Sequence, residues 1–143
     1  MTPEINFTTE NVSLPELDYP RVRRWLAAVA DAHGFILRRL DYVFCDDKRI
    51  LEVNLEFLDH DYFTDIITFG NSHGRLLSGD LYISLETVET NAESVCQPYG
   101  RELLRVIVHG LLHLCGINDK GPGEREIMEM HEDEALALFE SIA

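Results

Sequence analysis

Two histidines four residues apart, His109 and His113, stand in the run VIVHGLLHLCGINDKGPGE from Val106 to Glu124. On a helix, residues four apart project side by side, so two imidazoles can bind one metal ion. A third ligand has to arrive from another direction. Gly116 follows His113 by three residues, and Asp119 follows Gly116 by three. A glycine in the left-handed conformation ends a helix and lets the chain fold back, which would bring Asp119 to the same point. The expected metal site is therefore His109, His113 and Asp119, with one zinc ion per chain as the expected cofactor and other divalent ions tolerated. Three protein ligands leave zinc an open position, where it acidifies water to a pKa of about 7 and polarises a phosphate oxygen. An aspartate in place of a neutral ligand reduces the charge left on the ion and widens its tolerance for harder metals.

A helical wheel from Arg101 to Gly116 shows what must hold these groups. Arg101, Glu102, Arg105, His109, His113 and Gly116 share an arc of roughly a third of the circumference, and Leu103, Leu104, Ile107, Leu111, Leu114 and Cys115 fill much of the rest. This is a core helix with one polar stripe, and both histidines lie on it. The spacing matches the ligands of HExxHxxGxxH zinc proteases, but Gly110 stands where those enzymes carry their catalytic glutamate, which argues against peptide hydrolysis. The other histidines have no comparable spacing. His33 beside Gly34 reads as a helix end, and His131 among glutamates as part of an exposed face.

The elements around this helix follow from periodicity and turn chemistry. INFTTENVSL reads as an opening strand and turn. RVRRWLAAVADAHG reads as a helix with Val22, Trp25, Leu26 and Val29 on one side and Gly34 as its stop. In LRRLDYVFC, Leu40, Tyr42 and Phe44 alternate with Arg39, Asp41 and Val43, the period of a strand. KRILEVNLEFL is a helix ending before the polar turn DHD. DIITFG and GDLYISLE are strands joined by the turn-rich NSHGRLLSG, and from about Thr87 the chain is helical, with breaks near Gln97 to Gly100 and from Asn118 to Gly123. The expected fold is α+β: a small mixed sheet of about four strands packed with helices, with the metal-binding helix in the C-terminal half. A helix between strands makes a crossover, and the short link between the last two strands a hairpin. Asp80 reads as a strand-start turn residue, and Thr64 and Asp65 as a strand entry shaping the rim of the site.

Composition bounds the setting. The 143 residues are read as one domain, 1–143, and they carry 26 acidic and 12 basic residues for a net charge of −14. That charge argues against a protein that simply coats nucleic acid, although arginines cluster at 21, 23 and 24, at 38 and 39, and at 101 and 105. No apolar run reaches membrane-spanning length, and MTPEINFTTE lacks the regions of a signal peptide. Cys45, Cys96 and Cys115 have no metal or redox spacing and read as reduced thiols. The expected location is the cytoplasm, with no membrane partner.

The motifs together resemble the YbeY family of metal-dependent ribosomal RNA maturation factors. The stretch His109-Gly110-Leu111-Leu112-His113-Leu114-Cys115-Gly116-Ile117-Asn118-Asp119 is similar to the family's HGxLHLxGYDH, Thr64 to Phe69 (TDIITF) to its TDVLSF strand, and Gly79 to Ser84 to its GDI-x-IS strand. The resemblance implies an α+β fold, a zinc site and single-strand-directed endoribonuclease activity in small-subunit ribosomal RNA 3′-end maturation and ribosome quality control. It implies single-stranded RNA, the small ribosomal subunit and its assembly factors as partners. Two positions depart from the pattern: Asp119 stands where the family usually has histidine, and Leu58 where it usually has an arginine suited to phosphate. Arg105 and His60 are then the candidate catalytic residues, with Arg101 a further substitute. The alternative function is a non-catalytic ribosome-assembly factor whose metal is structural. Glu102 shares the helix face but has Arg101 and Arg105 as ready ion-pair partners.

Overall fold

The computed structural model describes residues 2–58 and 64–142. Its elements run β1 (Glu4–Thr9), α1 (Tyr19–Ala32), β2 (Ile36–Cys45), α2 (Asp47–Leu58), β3 (Ile66–Gly70), β4 (Leu76–Ser84), α3 (Leu85–Ser94), α4 (Tyr99–Leu114) and α5 (Glu124–Ser141). Local chemistry starts and stops them. Asp18 accepts a hydrogen bond from the Arg21 N–H at 3.2 Å to cap α1, Pro20 sits in its first turn, and the chain leaves through His33 and Gly34, whose φ is +82°. Ser84 caps α3 in the same way through the Thr87 N–H.

The strands form one sheet in the order β1-β2-β4-β3. β1 and β4 both run parallel to β2, and β3 pairs antiparallel with β4 as the expected hairpin. β4 begins earlier than the turn-rich sequence predicts: Leu76 and Leu77 pair with Ile36 and Leu37 of β2. A ladder supplied by a distant strand overrides local turn preference there. Asp80 is consequently not at a strand start but inside β4, exposed, opposite Asp41 and Phe69.

Strand alternation divides the sheet into two unequal faces. On one, Leu40, Tyr42, Phe44, Leu81 and Ile83 are buried with Trp25 and Leu26 of α1, Ile107 and Leu111 of α4 and Leu136 of α5. On the other, among the described residues, Cys45 and Ile67 pack with Ile50 and Val53 of α2, with Phe69 and Tyr82 at the margin. Each fully buried Leu, Ile or Phe on the large face contributes roughly 1.5–3 kcal/mol. Two buried polar groups tie the layers together: the Trp25 indole donates to the Ala135 carbonyl at 2.6 Å and the Tyr42 hydroxyl donates to the Ile107 carbonyl at 2.8 Å. The second bond anchors the middle of α4, two residues before His109, to the sheet. Among the described residues no helix is long and apolar enough to cross a membrane.

Candidate metal centre

The end of α4 is built as its sequence requires. Gly116 has φ +91°, its N–H donates to the His113 carbonyl at 2.9 Å, and the Ile117 N–H donates to the Leu112 carbonyl at 3.1 Å. This pair of bonds is the Schellman termination, and it turns the chain back beneath the polar stripe. Asp119 arrives where the turn points it. Its Oδ2 lies 3.3 Å from His109 Nε2 and 3.4 Å from His113 Nε2. Ligands about 2.0–2.1 Å from a tetrahedral zinc are separated by about 3.3 Å, so the donor atoms are spaced as that ion needs. The two rings meet edge to face with centroids 4.5 Å apart. Among the described residues no fourth His, Cys, Asp or Glu side chain completes the group.

Packing explains why Gly110 occupies its position. A Cβ there would collide with Leu81 Cδ2 and come within 2.8 Å of Ile66 Cδ1. α4 lies so close to β3 and β4 at this point that any side chain, the glutamate of a zinc protease included, would have to displace the buried Leu81 and the half-buried Ile66.

The centre opens onto a cleft of about 610 Å³ between α4, the β3 strand and the end of α2, bordered by Thr64, Asp65, Leu58 and Lys120. A second hollow of about 760 Å³ shares His109, Asp65 and Asp119 and runs toward Arg101, Arg105 and Arg125. Leu58, where an arginine was expected from the resemblance, is an apolar part of the cleft wall. His60 lies outside the described residues.

The polar stripe has partners that the sequence did not indicate. Arg105 is held by α5: its two terminal nitrogens donate to Glu132 Oε1 at 2.8 Å and Asp133 Oδ1 at 2.6 Å. Arg101 reaches Glu140 at 3.3 Å. Glu132 in turn accepts from His109 Nδ1 through Oε2 at 2.6 Å. It is almost wholly buried, with its side chain 7% exposed. Glu132 is the residue beside the centre that sequence reading missed, and a signal for it existed. It falls on the buried stripe Met128, Glu132, Ala135, Leu136 of α5, where a carboxylate is out of place unless paired. Its neighbour His131, read as exposed, is half-buried with its ring 5.0 Å from that of His33, because α1 and α5 pack side by side there.

Electrostatics separate the two imidazoles. Burial disfavours the His109 cation, but the hydrogen bond and charge of Glu132, with Asp65 and Asp119 nearby, outweigh it and hold its pKa above the ordinary histidine value. The His113 pKa lies below that value, through burial and then the neighbouring His109. Burial raises the Asp65 carboxyl against the opposing pull of His109, and burial likewise raises Glu102. The result is a half-buried cluster of imidazole and carboxylate donors with excess negative charge, an environment that favours a cation.

Comparison with known proteins identifies the family and the fold. A family model described as Endoribonuclease YbeY matches residues 4–140. The chain is 56% identical to an Endoribonuclease YbeY of Phocaeicola vulgatus over 135 residues, covering 94% of this chain and 98% of that protein. It is 54% identical to one of Parabacteroides distasonis, covering 94% and 95%. The solution structure of TM1509 from Thermotoga maritima superposes with a TM-score of 0.62 at 22% identity, covering 96% of this chain and 92% of that one, a likeness of fold.

Proposed function

The chain belongs to the YbeY endoribonuclease family, and on that premise we propose that it is a zinc-dependent endoribonuclease directed at single-stranded RNA in small-subunit ribosomal RNA 3′-end maturation and ribosome quality control. The observation that carries the reading is the three-ligand cluster His109, His113 and Asp119, spaced for one ion and facing a cleft. In this reading the partners are ribosomal RNA and the small ribosomal subunit with its assembly factors, and the setting is the cytoplasm.

His109, His113 and Asp119 hold the ion. Zinc bound there supplies acidified water at neutral pH and a Lewis acid for a phosphate oxygen. The protein's own groups bind and orient. The apolar wall at Leu58 and Ile66 and the polar rim at Thr64, Asp65 and Ser72 shape a channel for an extended strand. A duplex, with its bases paired and backbone fixed, is the poorer occupant of such a channel. Lys120, beside the third ligand, supplies a positive charge next to the cluster, and Arg101 and Arg125 line the hollow beyond it. His60, in the segment leading to Thr64, remains the proposed catalytic-site side chain for phosphate. Arg105, expected beside it, has its two terminal nitrogens on Glu132 and Asp133, so in this reading it contributes charge to the hollow and not a direct phosphate contact.

The test is cleavage of a labelled single-stranded RNA by zinc-replete protein, beside the matching duplex and the Asp119→Ala variant. Cutting of the single strand that is lost in the variant and on chelation is the expected result. Zinc-loaded, folded wild type that binds the strand and leaves it intact would instead identify an assembly factor with a structural metal.

A further inference from the structure

We propose that Glu132 and Arg105 are positioning residues for the metal, acting through His109, an inference that rests on reading His109, His113 and Asp119 as the ligand set. An imidazole ligates through a nitrogen that carries no proton, so a ligand histidine must keep its proton on the other nitrogen. His109 has one nitrogen on each side of this requirement. Nε2 faces Asp119 at 3.3 Å, and Nδ1 lies 2.6 Å from Glu132 Oε2. Glu132, as a carboxylate, only accepts, so Nδ1 is the donor and the Nε2 lone pair is left for the ion.

The carboxylate is itself held. Its other oxygen accepts from Arg105 at 2.8 Å, and Arg105 is braced by Asp133 at 2.6 Å. The chain Asp133–Arg105–Glu132–His109 crosses from α5 to α4, returns to α5 and ends on α4, so the packing of these two helices sets the ring's orientation. Arg105 lies one helical turn before His109, which places its guanidinium over the same stretch of α5. Its charge also offsets that of a carboxylate removed from water, without which Glu132 would be costly to bury. The arrangement differs from that of His113, whose orienting contact is the backbone of Ile117, four residues away on its own turn. One ligand is therefore set by local chain geometry and the other by helix docking.

Zinc titration against a chromophoric chelator tests this in full-length Glu132→Gln, Arg105→Met, Asp133→Asn and His113→Ala proteins, with nitrogen-15 NMR of the histidines in zinc-loaded wild type. The wild type should show a slowly exchanging proton on His109 Nδ1. Glu132→Gln, which keeps the shape and removes the charge, should lose zinc affinity by about 10–100-fold while Trp25 fluorescence shows it folded. Arg105→Met should lose less, in the same direction, and Asp133→Asn should bind as wild type does. A purely structural role would lower thermal stability in Glu132→Gln at unchanged zinc affinity, and that result overturns the proposal. A His109 proton on Nε2 overturns it from the wild type alone, whatever the variants do. If His113→Ala binds zinc as well as wild type, the ligand set itself is wrong; if only the Glu132 and Arg105 variants are silent, the ligand set stands and this inference falls.

Discussion

At Asp119 a single carboxylate alters the character of a metal site. Its Oδ2 sits within 3.4 Å of both imidazole nitrogens, where a third ligand would stand. Two neutral nitrogens and one anionic oxygen form a harder donor set than three nitrogens. Asp119→His should therefore retain zinc and lose relative affinity for manganese, the harder ion. Zinc and manganese dissociation constants measured on both proteins check this: the ratio of manganese to zinc dissociation constants should rise about tenfold or more in the variant. An unchanged ratio would mean that Asp119 does not touch the ion. Cys115, near the end of α4, does not join the group: among the described residues the donor atoms that come together are those of His109, His113 and Asp119.

Within α4, two glycines of one helix should respond with opposite sign. Gly110 faces the sheet, where an added methyl collides with Leu81 and crowds Ile66. Gly100, in the first turn, has nothing within 4 Å of the corresponding position. An alanine in a helix is favoured over glycine by about 1 kcal/mol, chiefly through the unfolded chain. Gly100→Ala should accordingly leave stability equal or raise it by up to about 1 kcal/mol. Gly110→Ala gains the same propensity but adds overpacking of about 1–3 kcal/mol or more, for a net loss. Thermal unfolding of the two variants reads the contrast directly. A Gly110→Ala protein as stable as Gly100→Ala would show that α4 can lift from the sheet at no cost, and the rigid delivery of His109 and His113 would lose its basis. The Tyr42 hydroxyl bond to the Ile107 carbonyl, between these glycines, resists that movement.

For the whole molecule, the two faces of the sheet differ in how much core they bury, and this predicts the order in which they open. The large face includes the fully buried Trp25. The small face holds Cys45 beneath α2, with Ile50, Val53 and Ile67. A region with fewer buried apolar contacts opens at lower free energy. Cys45 is fully buried, and burial, followed by Asp46 and Glu10, pushes its thiol up to about 12. In the folded protein near pH 8 it should therefore resist alkylation, while the exposed Cys96 reacts. As guanidinium is raised, Cys45 should become reactive before Trp25 fluorescence changes. Mass spectrometry of alkylated peptides beside fluorescence gives the two midpoints. Coincident midpoints would show that α2 and the large core open as one unit.

Much of this protein was legible in its sequence because the relevant physics is local. The four-residue spacing of His109 and His113, the left-handed turn at Gly116 and the offset to Asp119 are consequences of helix pitch and glycine's conformational freedom. The alternation of Leu40, Tyr42 and Phe44 fixes which face of β2 is buried before any partner is known. Order and type of the nine elements among the described residues followed from such patterns, and three motifs sufficed for the family. What depended on tertiary structure joins residues far apart in the chain. The placing of β4 between β2 and β3, and its start at Leu76, follow from pairing with a strand 40 residues earlier. The choice of Glu132 for His109, and of Glu132 and Asp133 for Arg105, follows from α5 docking on α4 across 23 to 28 positions. Spacing along a chain determines which side chains share a face; only the packed chain determines what that face meets, because contact energies between distant segments leave no period in the sequence.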